Sequence, residues 1–497
     1  MLSGFPILTI LIFLPLAGAL CLVPVWSRPV AARRVALAMS LLELVLAGGL
    51  FPLITTAAHT PGSPLFLFRE DHSWIAGFGA RYTLGMDGIS YLLVLLTGFI
   101  TVVAMLVSWQ AIGERVALHY GLLLVMECGI MGVFLSLDLL LFYLFWEVML
   151  VPMFFLIGIW GHGRRIYSSV KFFLFTLAGS LLMFLAIIAI YLLHGSQSGE
   201  YTFALPALIQ TRTAPGISCW LFGAFLLAFA VKIPLFPLHT WLPDAHTDAP
   251  TAGSVVLAGL LLKTGAYGLI RFACPLFPEA ARIFTPLLLS VAVIGIIYGS
   301  WIAFAQTDMK RLVAYSSVGH MGFVALGIAA WTPVSLSGSV LQMVNHGVTT
   351  GALFALVGML DERAGTREIS AFGGLWGQMP LFSALFLLFS MASAGLPGLN
   401  NFTGEFLVLA GSFRVAPVAA ILALAGIILP LVYTVRLVQE VLFMTARQSH
   451  VMADISSREV VILAVMALPV IAIGVHPAPL LDILRAPVAV LTTGAMP

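Results

Sequence analysis

Apolar windows about 20 residues long follow one another along almost the whole chain, and each is long enough to cross a membrane as a helix. Hydrophobic residues make up 61% of the 497 residues and charged residues only 9%, whereas a soluble domain carries about 25% charge. Because backbone groups in lipid must be paired within the segment, we predict an all-α integral membrane protein with about 14 transmembrane helices. The predicted spans begin near residues 5, 35, 87, 118, 138, 168, 219, 251, 283, 310, 335, 380, 416 and 459.

The basic residues predict the orientation of these spans. With alternating spans, fourteen Lys and Arg residues fall on one side, Lys310 and Arg447 among them, and seven on the other, including Arg271. Because basic loops remain inside, we expect both termini on the outer face. The first span lacks a preceding basic residue and a small-residue cleavage site, so we expect it to be retained rather than removed as a signal peptide. The cysteines show no CxxC or Cys/His spacing and are expected to pack as small apolar residues.

Two spans are interrupted by helix-breaking residues. One break follows Lys232 at Pro234 and Pro237, and the other lies in MASAGLPGLNNFTGEFLVLAG (391–411). Irregular backbone at membrane depth persists only inside protein or beside a water-filled cavity, and paired breaks indicate a transporter built from repeats. We therefore predict two inverted five-helix repeats, each broken in its fourth span. The predicted division is 1–117 (helices 1–3), 118–272 (helices 4–8), 283–444 (helices 9–13) and 459–497 (helix 14 and tail).

Ionisable side chains inside the predicted spans mark a functional path, because a charge in the bilayer costs several kcal/mol unless it is paired or hydrated. These residues are Glu43, Glu127, Glu147, Lys232, Lys263, His320, His346 and Glu405. Lys232 lies at the first break, and we expect it to pair with Glu147 across the fifth and seventh spans. Glu405, just beyond the second break, is expected to be the counterpart of Lys232.

Lys263 lies in the middle of a helix that we expect to be uninterrupted. It would share the membrane interior with Lys232, and Glu147 can balance only one of the two lysines. Two neighbouring ammonium groups in low dielectric cannot both stay charged at little cost, so one of them is expected to exchange its proton.

Each of these residues also has a structural interpretation. His320 and His346 could be hydrogen-bonded packing residues, and Glu43 could line a helix interface. His239, Asp244, His246 and Asp248 resemble metal ligands by residue type, but their spacing matches no standard pattern, and capping or loop hydrogen bonds are the favoured interpretation. No nucleotide, flavin or iron–sulfur motif occurs in the sequence.

Three segments carry a family resemblance that covers essentially the whole chain. The segments are VKIPLFPLHTWLPDAHTDAPTAGSVVLAGLLLKTGAYGLIRF (231–272), FWEVMLVPMFFLIGIWG (145–161) and KRLVAYSSVGHMGF (310–323). They closely resemble the antiporter-like membrane subunits of respiratory complex I, the proton-translocating NADH:quinone oxidoreductase. One paralogue, subunit L, carries a long C-terminal lateral helix that this chain is not expected to have.

The resemblance implies fourteen membrane helices, two inverted five-helix units and one proton channel with a central hydrophilic axis. On the matching positions it implies that Glu147 and Lys232 form a coupled ion pair and that Lys263 is the central proton carrier. His320 and His346 would connect Lys263 to Glu405 at the outward exit. Glu127 is a further candidate, although relatives vary at the fourth span.

The resemblance also implies the setting of the chain. It would be a translocase subunit with no redox chemistry and no cofactor or metal of its own, because NADH, FMN, iron–sulfur clusters and quinone would be held by other subunits. Its partners would be the lipid bilayer, neighbouring antiporter-like subunits and the lateral helix of subunit L. Its location would be a bacterial inner (plasma) membrane or another energy-transducing membrane.

Two other interpretations stay open at the level of sequence. A subunit of a multi-subunit sodium/proton antiporter or of a membrane-bound hydrogenase would share the lysines and the broken spans. A purely structural membrane subunit would require inert buried charges.

Overall fold

The computed structural model describes residues 5–60, 62–445 and 452–494, so Arg447 and both chain ends lie outside the described residues. Helices account for nearly all of it, and in chain order they are α1 (Ile7–Val25), α2 (Pro29–His59), α3 (Gly88–Ala111), α4 (Val116–Leu135), α5 (Leu139–Trp160), α6 (Arg165–Ser198), α7 (Pro215–Lys232), α8 (Trp241–Asp248) and α9 (Thr251–Leu276). The remaining helices are α10 (Pro278–Phe304), α11 (Met309–Ala330), α12 (Pro333–Ala364), α13 (Pro380–Ser393), α14 (Asn400–Phe413), α15 (Pro417–Phe443), α16 (Ser457–Val475) and α17 (Ala478–Thr493).

The predicted all-α membrane fold is confirmed. Thirteen helices in the described part of the chain are long and apolar enough to cross a membrane. The span predicted from residue 380, for which the sequence also predicted a break, is divided into α13 and α14, each of 14 residues. The amphipathic helix α17 was not predicted as a separate element.

The helices differ strongly in how far they are hidden from the surroundings. In α9 and α12, 100% of the most apolar 18-residue window is buried, against 28% in α2. Helices surrounded by protein can carry polar side chains that lipid would not solvate. The candidate proton-transfer residues in α9, α11 and α12 therefore occupy the part of the fold that can hold them.

Both predicted breaks are confirmed. Helix α7 ends at Lys232 and α8 begins at Trp241, which leaves the first interruption at 233–240. Helices α13 and α14 leave the second interruption at 394–399, where Gly395 and Gly398 have φ of 77° and 92°. Glycine is needed at these two positions because other L-residues are strained in the left-handed region.

The helix around Lys263 is uninterrupted, as the sequence predicted, but it is not α-helical throughout. Helix α9 is continuous, but π-helical segments at Leu257–Leu261 and Leu269–Ala273 flank the α-helical turns that carry Lys263. Such π turns occur most often at functional sites, and no residue pattern in this helix distinguishes them from regular α-helix.

A β-hairpin covers the connection between α2 and α3. Strand β1 (Leu67–Ile75) pairs antiparallel with β2 (Ala80–Met86), and Leu67 lies opposite Met86. The Glu70 carboxylate accepts a hydrogen bond of 2.7 Å from the backbone N–H of Leu8, which ties the hairpin to α1. This hairpin was not predicted, because the connection is short and its apolar alternation is weak.

Two helix starts are built in the same way. Before α5, Leu139 N donates to Phe203 O at 2.9 Å and Leu205 N donates to Leu137 O at 2.9 Å. Before α11, Met309 N donates to Arg367 O at 3.0 Å and Ile369 N donates to Thr307 O at 2.8 Å. In both cases the central residue is an aspartate that caps the helix: Asp138 accepts from Leu140 N and Leu141 N, and Asp308 accepts from Arg311 N.

Candidate functional site

Two fully buried lysines lie on neighbouring helices. Lys232 closes α7 at the first interruption, and Lys263 lies in the middle of α9. A Cβ atom added at Gly265 would lie 2.9 Å from both the Cβ of Lys232 and the carbonyl oxygen of Phe229. Glycine at this position therefore lets α7 and α9 approach closely, which brings the two lysines into one buried region.

Lys263 is hydrogen-bonded to a histidine on α12. Its Nζ lies 2.6 Å from His346 Nδ1 and also donates to the carbonyl of Ala258 in the preceding π-helical segment. An ammonium and an imidazolium are both donors without an acceptor. The contact thus requires that at least one of the two groups has given up its proton, and a single proton can pass between them along this hydrogen bond.

A second pair continues the row towards α14. His320 Nδ1 lies 2.8 Å from Glu405 Oε1, and the rings of His320 and His346 lie 5.8 Å apart between centroids. Gln342 Nε2 donates to the same Glu405 oxygen at 3.0 Å. Lys263, His346, His320 and Glu405, all expected from the sequence, are therefore brought together as a buried row that we call the central row.

Lys232 and Glu147 are near each other but do not form the direct ion pair that the sequence led us to expect. Lys232 Nζ has no hydrogen-bond partner among the described residues and lies 5.4 Å from the ring centroids of Trp146 and Phe172. Glu147 is half-buried and interacts with Lys232 electrostatically, but no N···O distance between them is within 4.0 Å. The reason is local: Glu147 lies on a partly open face of α5, whereas Lys232 points among aromatic rings.

Side chains from other parts of the protein bond backbone carbonyls next to both interruptions. Trp241 Nε1 donates to the carbonyl of Val231 at 2.9 Å at the first interruption. At the second, Asn345 Nδ2 donates to the carbonyl of Asn400 at 2.7 Å, and Asn400 Nδ2 returns a bond of 3.2 Å to the carbonyl of Asn345. Side chains from other turns therefore make irregular backbone possible at this depth.

Sequence reasoning missed a buried polar cluster next to α8, in which His246 lies near Lys263 and Lys310. His246 is fully buried, stacks on Phe354 with centroids 4.6 Å apart, and interacts electrostatically with both Lys263 and Lys310. Lys310 Nζ donates to the carbonyl of Ala249 at 2.5 Å and is itself buried. From the sequence, Lys310 is an ordinary loop cation, because its position beside a predicted helix start carries no sign of burial.

The four residues that resemble metal ligands by type are not arranged as one site. Asp244 bonds Lys171 Nζ at 2.7 Å, and Asp248 accepts from Ser168 Oγ at 2.6 Å. His239 packs edge-on to Tyr298 at 5.2 Å. The two aspartates lie in α8 and contact side chains of α6 rather than making the expected capping or loop bonds, and His246 makes no side-chain hydrogen bond in the described structure. No group of three metal-binding side chains lies together anywhere in the described ranges.

Arg271 is not a loop residue, as the alternation of charged loops implied. It is fully buried in the second π-helical segment of α9 and forms an ion pair with Asp87, the capping residue of α3. Tyr267, one turn before Arg271, donates to the carbonyl of Phe134 at 2.9 Å and lies 3.1 Å from Ser90 Oγ. This network joins α3, α4 and α9, and the sequence offered no pairing signal for it.

Glu127 lies apart from the central row. It accepts a hydrogen bond of 2.9 Å from Ser40 Oγ, and its other close polar neighbour is Glu43. Both carboxyls are buried between α2 and α4.

Known proteins resemble this chain in both sequence and structure. Residues 136–429 match the family model described as NADH:quinone oxidoreductase/Mrp antiporter, TM. NADH-quinone oxidoreductase subunit M of Pseudomonas aeruginosa is 44% identical over 489 residues, covering 96% of each chain. The protein of the same name from Escherichia coli strain K12 is 43% identical, covering 93% of this chain and 91% of that one.

Solved structures agree in fold. A chain of respiratory complex I from Thermus thermophilus with bound NADH superposes with a TM-score of 0.87 and 33% identity, covering 97% of this chain and 99% of that chain. A chain of the Mrp complex from Dietzia sp. DQ12-45-1b gives a TM-score of 0.83 at 20% identity, covering 98% and 97% of the two chains. At that identity the second likeness concerns the fold alone.

Proposed function

Because this chain belongs to the subunit M family of NADH-quinone oxidoreductases, we propose that it is the proton-translocating membrane subunit of such a complex, coupling electron transfer in other subunits to proton movement through its own buried residues. It takes part in the translocase reaction and performs no redox step itself. NADH, FMN, iron–sulfur clusters and quinone are assigned to other subunits.

The observation that carries the proposal is the hydrogen-bonded contact of Lys263 with His346, continued by His320 and Glu405. Four titratable groups in one buried row, with distances of 2.6 and 2.8 Å within its two pairs, are rare in a bilayer unless they serve ion movement. A proton held by Lys263 passes to His346 Nδ1 along their hydrogen bond. It then continues to His320 and Glu405 when the ring gap is bridged.

Each residue has a role in this proposal. Lys263 is the central carrier, His346 and His320 transfer the proton, and Glu405 delivers it towards the outer side. Lys232 and Glu147 act as a coupled charge pair at the entrance of the row. Lys232 and Glu147 do not touch in this structure, but their charges still interact across the gap between them. This arrangement supports an open state of the pair.

Glu147 approaching Lys232 would hold the proton on Lys232 and favour a neutral Lys263. Two unit charges 8 Å apart interact by about 2 kcal/mol at an effective dielectric near 20, so a movement of several ångströms changes the proton affinity of Lys263 by roughly tenfold. Glu127 is assigned as an additional proton-binding group beside the central row.

We also assign two inverted repeats, 118–272 and 283–444, with helices from 1–117 and 459–497 outside them. The paired helix starts at Asp138 and Asp308 support this assignment, because the same backbone arrangement recurs before α5 and α11. With alternating spans these two starts lie on opposite faces, as inversion requires. Both termini are placed on the outer face of a bacterial inner membrane. Neighbouring antiporter-like subunits and a lateral helix from subunit L are the expected partners.

The test is Lys263→Ala and Lys263→Arg in the assembled complex, with electron transfer and proton pumping measured separately. Alanine removes the carrier and is expected to abolish pumping through this chain. Arginine keeps its charge at any working pH, so it should also fail although it preserves the positive site. Normal pumping by the arginine variant would reduce Lys263 to a fixed charge and overturn the assigned role.

A further inference from the structure

Two glutamates outside the central row face each other between α2 and α4. Glu43 lies in the middle of α2, where the neighbouring outward-facing side chains are apolar: Leu41, Leu42 and Val45 are 43%, 46% and 67% exposed. Glu43 itself is 0% exposed and Glu127 only 1%. The acidic residue in the apolar middle of α2 therefore points into the protein, towards the second carboxyl.

The contacts of the two carboxyls are unequal. Glu127 Oε2 accepts from Ser40 Oγ at 2.9 Å, whereas Glu127 Oε1 receives no hydrogen bond from an amide or hydroxyl of the described residues. Neither oxygen of Glu43 receives a hydrogen bond from any amide or hydroxyl of the described residues. The carboxyl of Glu127 is the ionisable neighbour of Glu43, since Ser40, one turn before Glu43 on α2, bonds Glu127 directly and both carboxyls are buried between the two helices.

No basic side chain of the described residues neutralises this pair. The charge that acts on Glu43 is that of Glu127, and the remaining ionisable neighbour of both is the thiol of Cys128. Beyond Cys128, towards the hairpin, lie Tyr82 and Glu70, which also carry no positive charge. Two ionised carboxylates in such surroundings would repel each other without compensation.

A carboxylate has acceptors only, whereas a protonated carboxyl has one O–H donor. A hydrogen bond between Glu43 and Glu127 therefore needs a proton on one of them. We propose that Glu43 and Glu127 form a proton-binding site that holds one shared proton between α2 and α4. When the proton passes across, the O–H bond of one carboxyl breaks as that of the other forms, and the net charge of the pair stays at minus one.

This site differs from paired acids in which both groups are neutral, because Glu127 retains a hydroxyl donor, Ser40, that favours its ionised form. Glu43 has no such donor, so the shared proton is bound more favourably by Glu43 than by Glu127. The inference does not depend on proton pumping. It is tested at equilibrium, so its failure is distinguishable from failure of the proposed function.

The experiment is infrared spectroscopy of the purified, lipid-reconstituted complex in the carbonyl region of protonated carboxylic acids, in light and heavy water. Wild type is compared with Glu43→Gln, Glu127→Gln, the double variant and Glu114→Gln. Glu114 is exposed in the loop before α4 and serves as the matched control. In either single variant the glutamine amide can donate the hydrogen bond that the acid proton donates in wild type, so the remaining glutamate is expected to ionise.

One shared proton predicts that either single substitution removes the same deuterium-sensitive carbonyl band and that the double variant removes no more. Glu114→Gln should leave the band unchanged. Separate bands lost by the two single variants, adding in the double variant, would mean two independent acids and would overturn the proposal. An unchanged band in both single variants would overturn it as well. If a glutamine variant does not assemble, Glu43→Leu with Glu127→Leu removes both carboxyls together, and retention of the band in that variant would equally contradict the proposal.

Discussion

Both helix interruptions place irregular backbone inside the membrane, but the charged side chains next to them have different surroundings. At the first, Lys232 has no hydrogen-bond partner among the described residues and rests among aromatic rings. At the second, Glu405 receives hydrogen bonds from both His320 and Gln342. Lys232 closes the helix before its break, whereas Glu405 lies in the helix after its break. They are therefore not at equivalent positions, although the sequence led us to expect that they were counterparts.

This difference indicates where a change of charge is easiest. An unpartnered buried ammonium is costly and gains much from either a partner or the loss of its proton. A carboxylate with two donors is already stabilised and resists change. We infer that the charge of Lys232 at the first interruption changes in response to events elsewhere in the complex. At the second interruption, the Glu405 carboxylate is already positioned as an acceptor.

The largest expected effect comes from removing the unpartnered charge. Lys232→Met should lower proton pumping by about 100-fold, the lower end of what a positioned proton-transfer group contributes. Assembly should be kept or improved, because an uncompensated buried charge is lost. The measurements are pumping in vesicles and the thermal midpoint of the complex.

The control for that change is Lys171→Met, which removes a lysine already paired with Asp244 at 2.7 Å. It should pump at the normal ratio and lose a little stability. If Lys232→Met assembled poorly while Lys171→Met did not, Lys232 would be a structural residue and the contrast between the interruptions would fail.

The second interruption is tested by a double-mutant cycle. Glu405→Gln, His320→Gln and the combined variant should give a coupling energy of about 2 to 3 kcal/mol, as expected for a buried charge-assisted hydrogen bond. The quantity to measure is the free energy of unfolding from denaturant titration of the purified chain. Additive effects of the two substitutions would show that the 2.8 Å contact contributes no specific energy.

A pH experiment distinguishes the helix start at Asp138 from the helix start at Asp308. Burial raises the pKa of Asp138 to about 6, against backbone hydrogen bonds and Arg81 that act in the other direction. A raised carboxyl pKa gives stability that is complete below the unfolded pKa of about 4 and is lost as pH rises through 6. Relative to Asp138→Asn, wild type should lose about 3 kcal/mol over this range, followed as the shift of the thermal midpoint with pH.

Asp308→Asn is the matched variant at the second helix start. There the aspartate lies 3.2 Å from Arg367, so its replacement breaks an ion pair and should destabilise the protein at neutral pH. Asp138→Asn should have the opposite sign at the same pH. Equal signs for the two variants would remove the electrostatic distinction between these starts.

The smallest effect concerns the backbone at the interruptions. Trp241→Phe deletes the donor to the Val231 carbonyl, and Asn345→Leu deletes the donor to the Asn400 carbonyl. Each should cost about 1 kcal/mol or somewhat more, as expected for an unmade hydrogen bond in the interior. Unfolding free energies of both variants, with Trp376→Phe on the surface as a control, compare the two interruptions directly.

The sequence by itself determined the membrane class, the approximate positions of the spans, both breaks and the residues of the central row. These follow from local rules: apolar length, the backbone limits of proline and glycine, and the cost of isolated charges in lipid. Tertiary structure decided the pairings. Only packing placed Lys263 against His346 and Glu405 against His320, separated Lys232 from Glu147, and buried Arg271, Lys310 and the Glu43–Glu127 pair. The physical reason is that a side chain's partner depends on which helix faces cross in space, and helix periodicity within one segment carries no information about its neighbours.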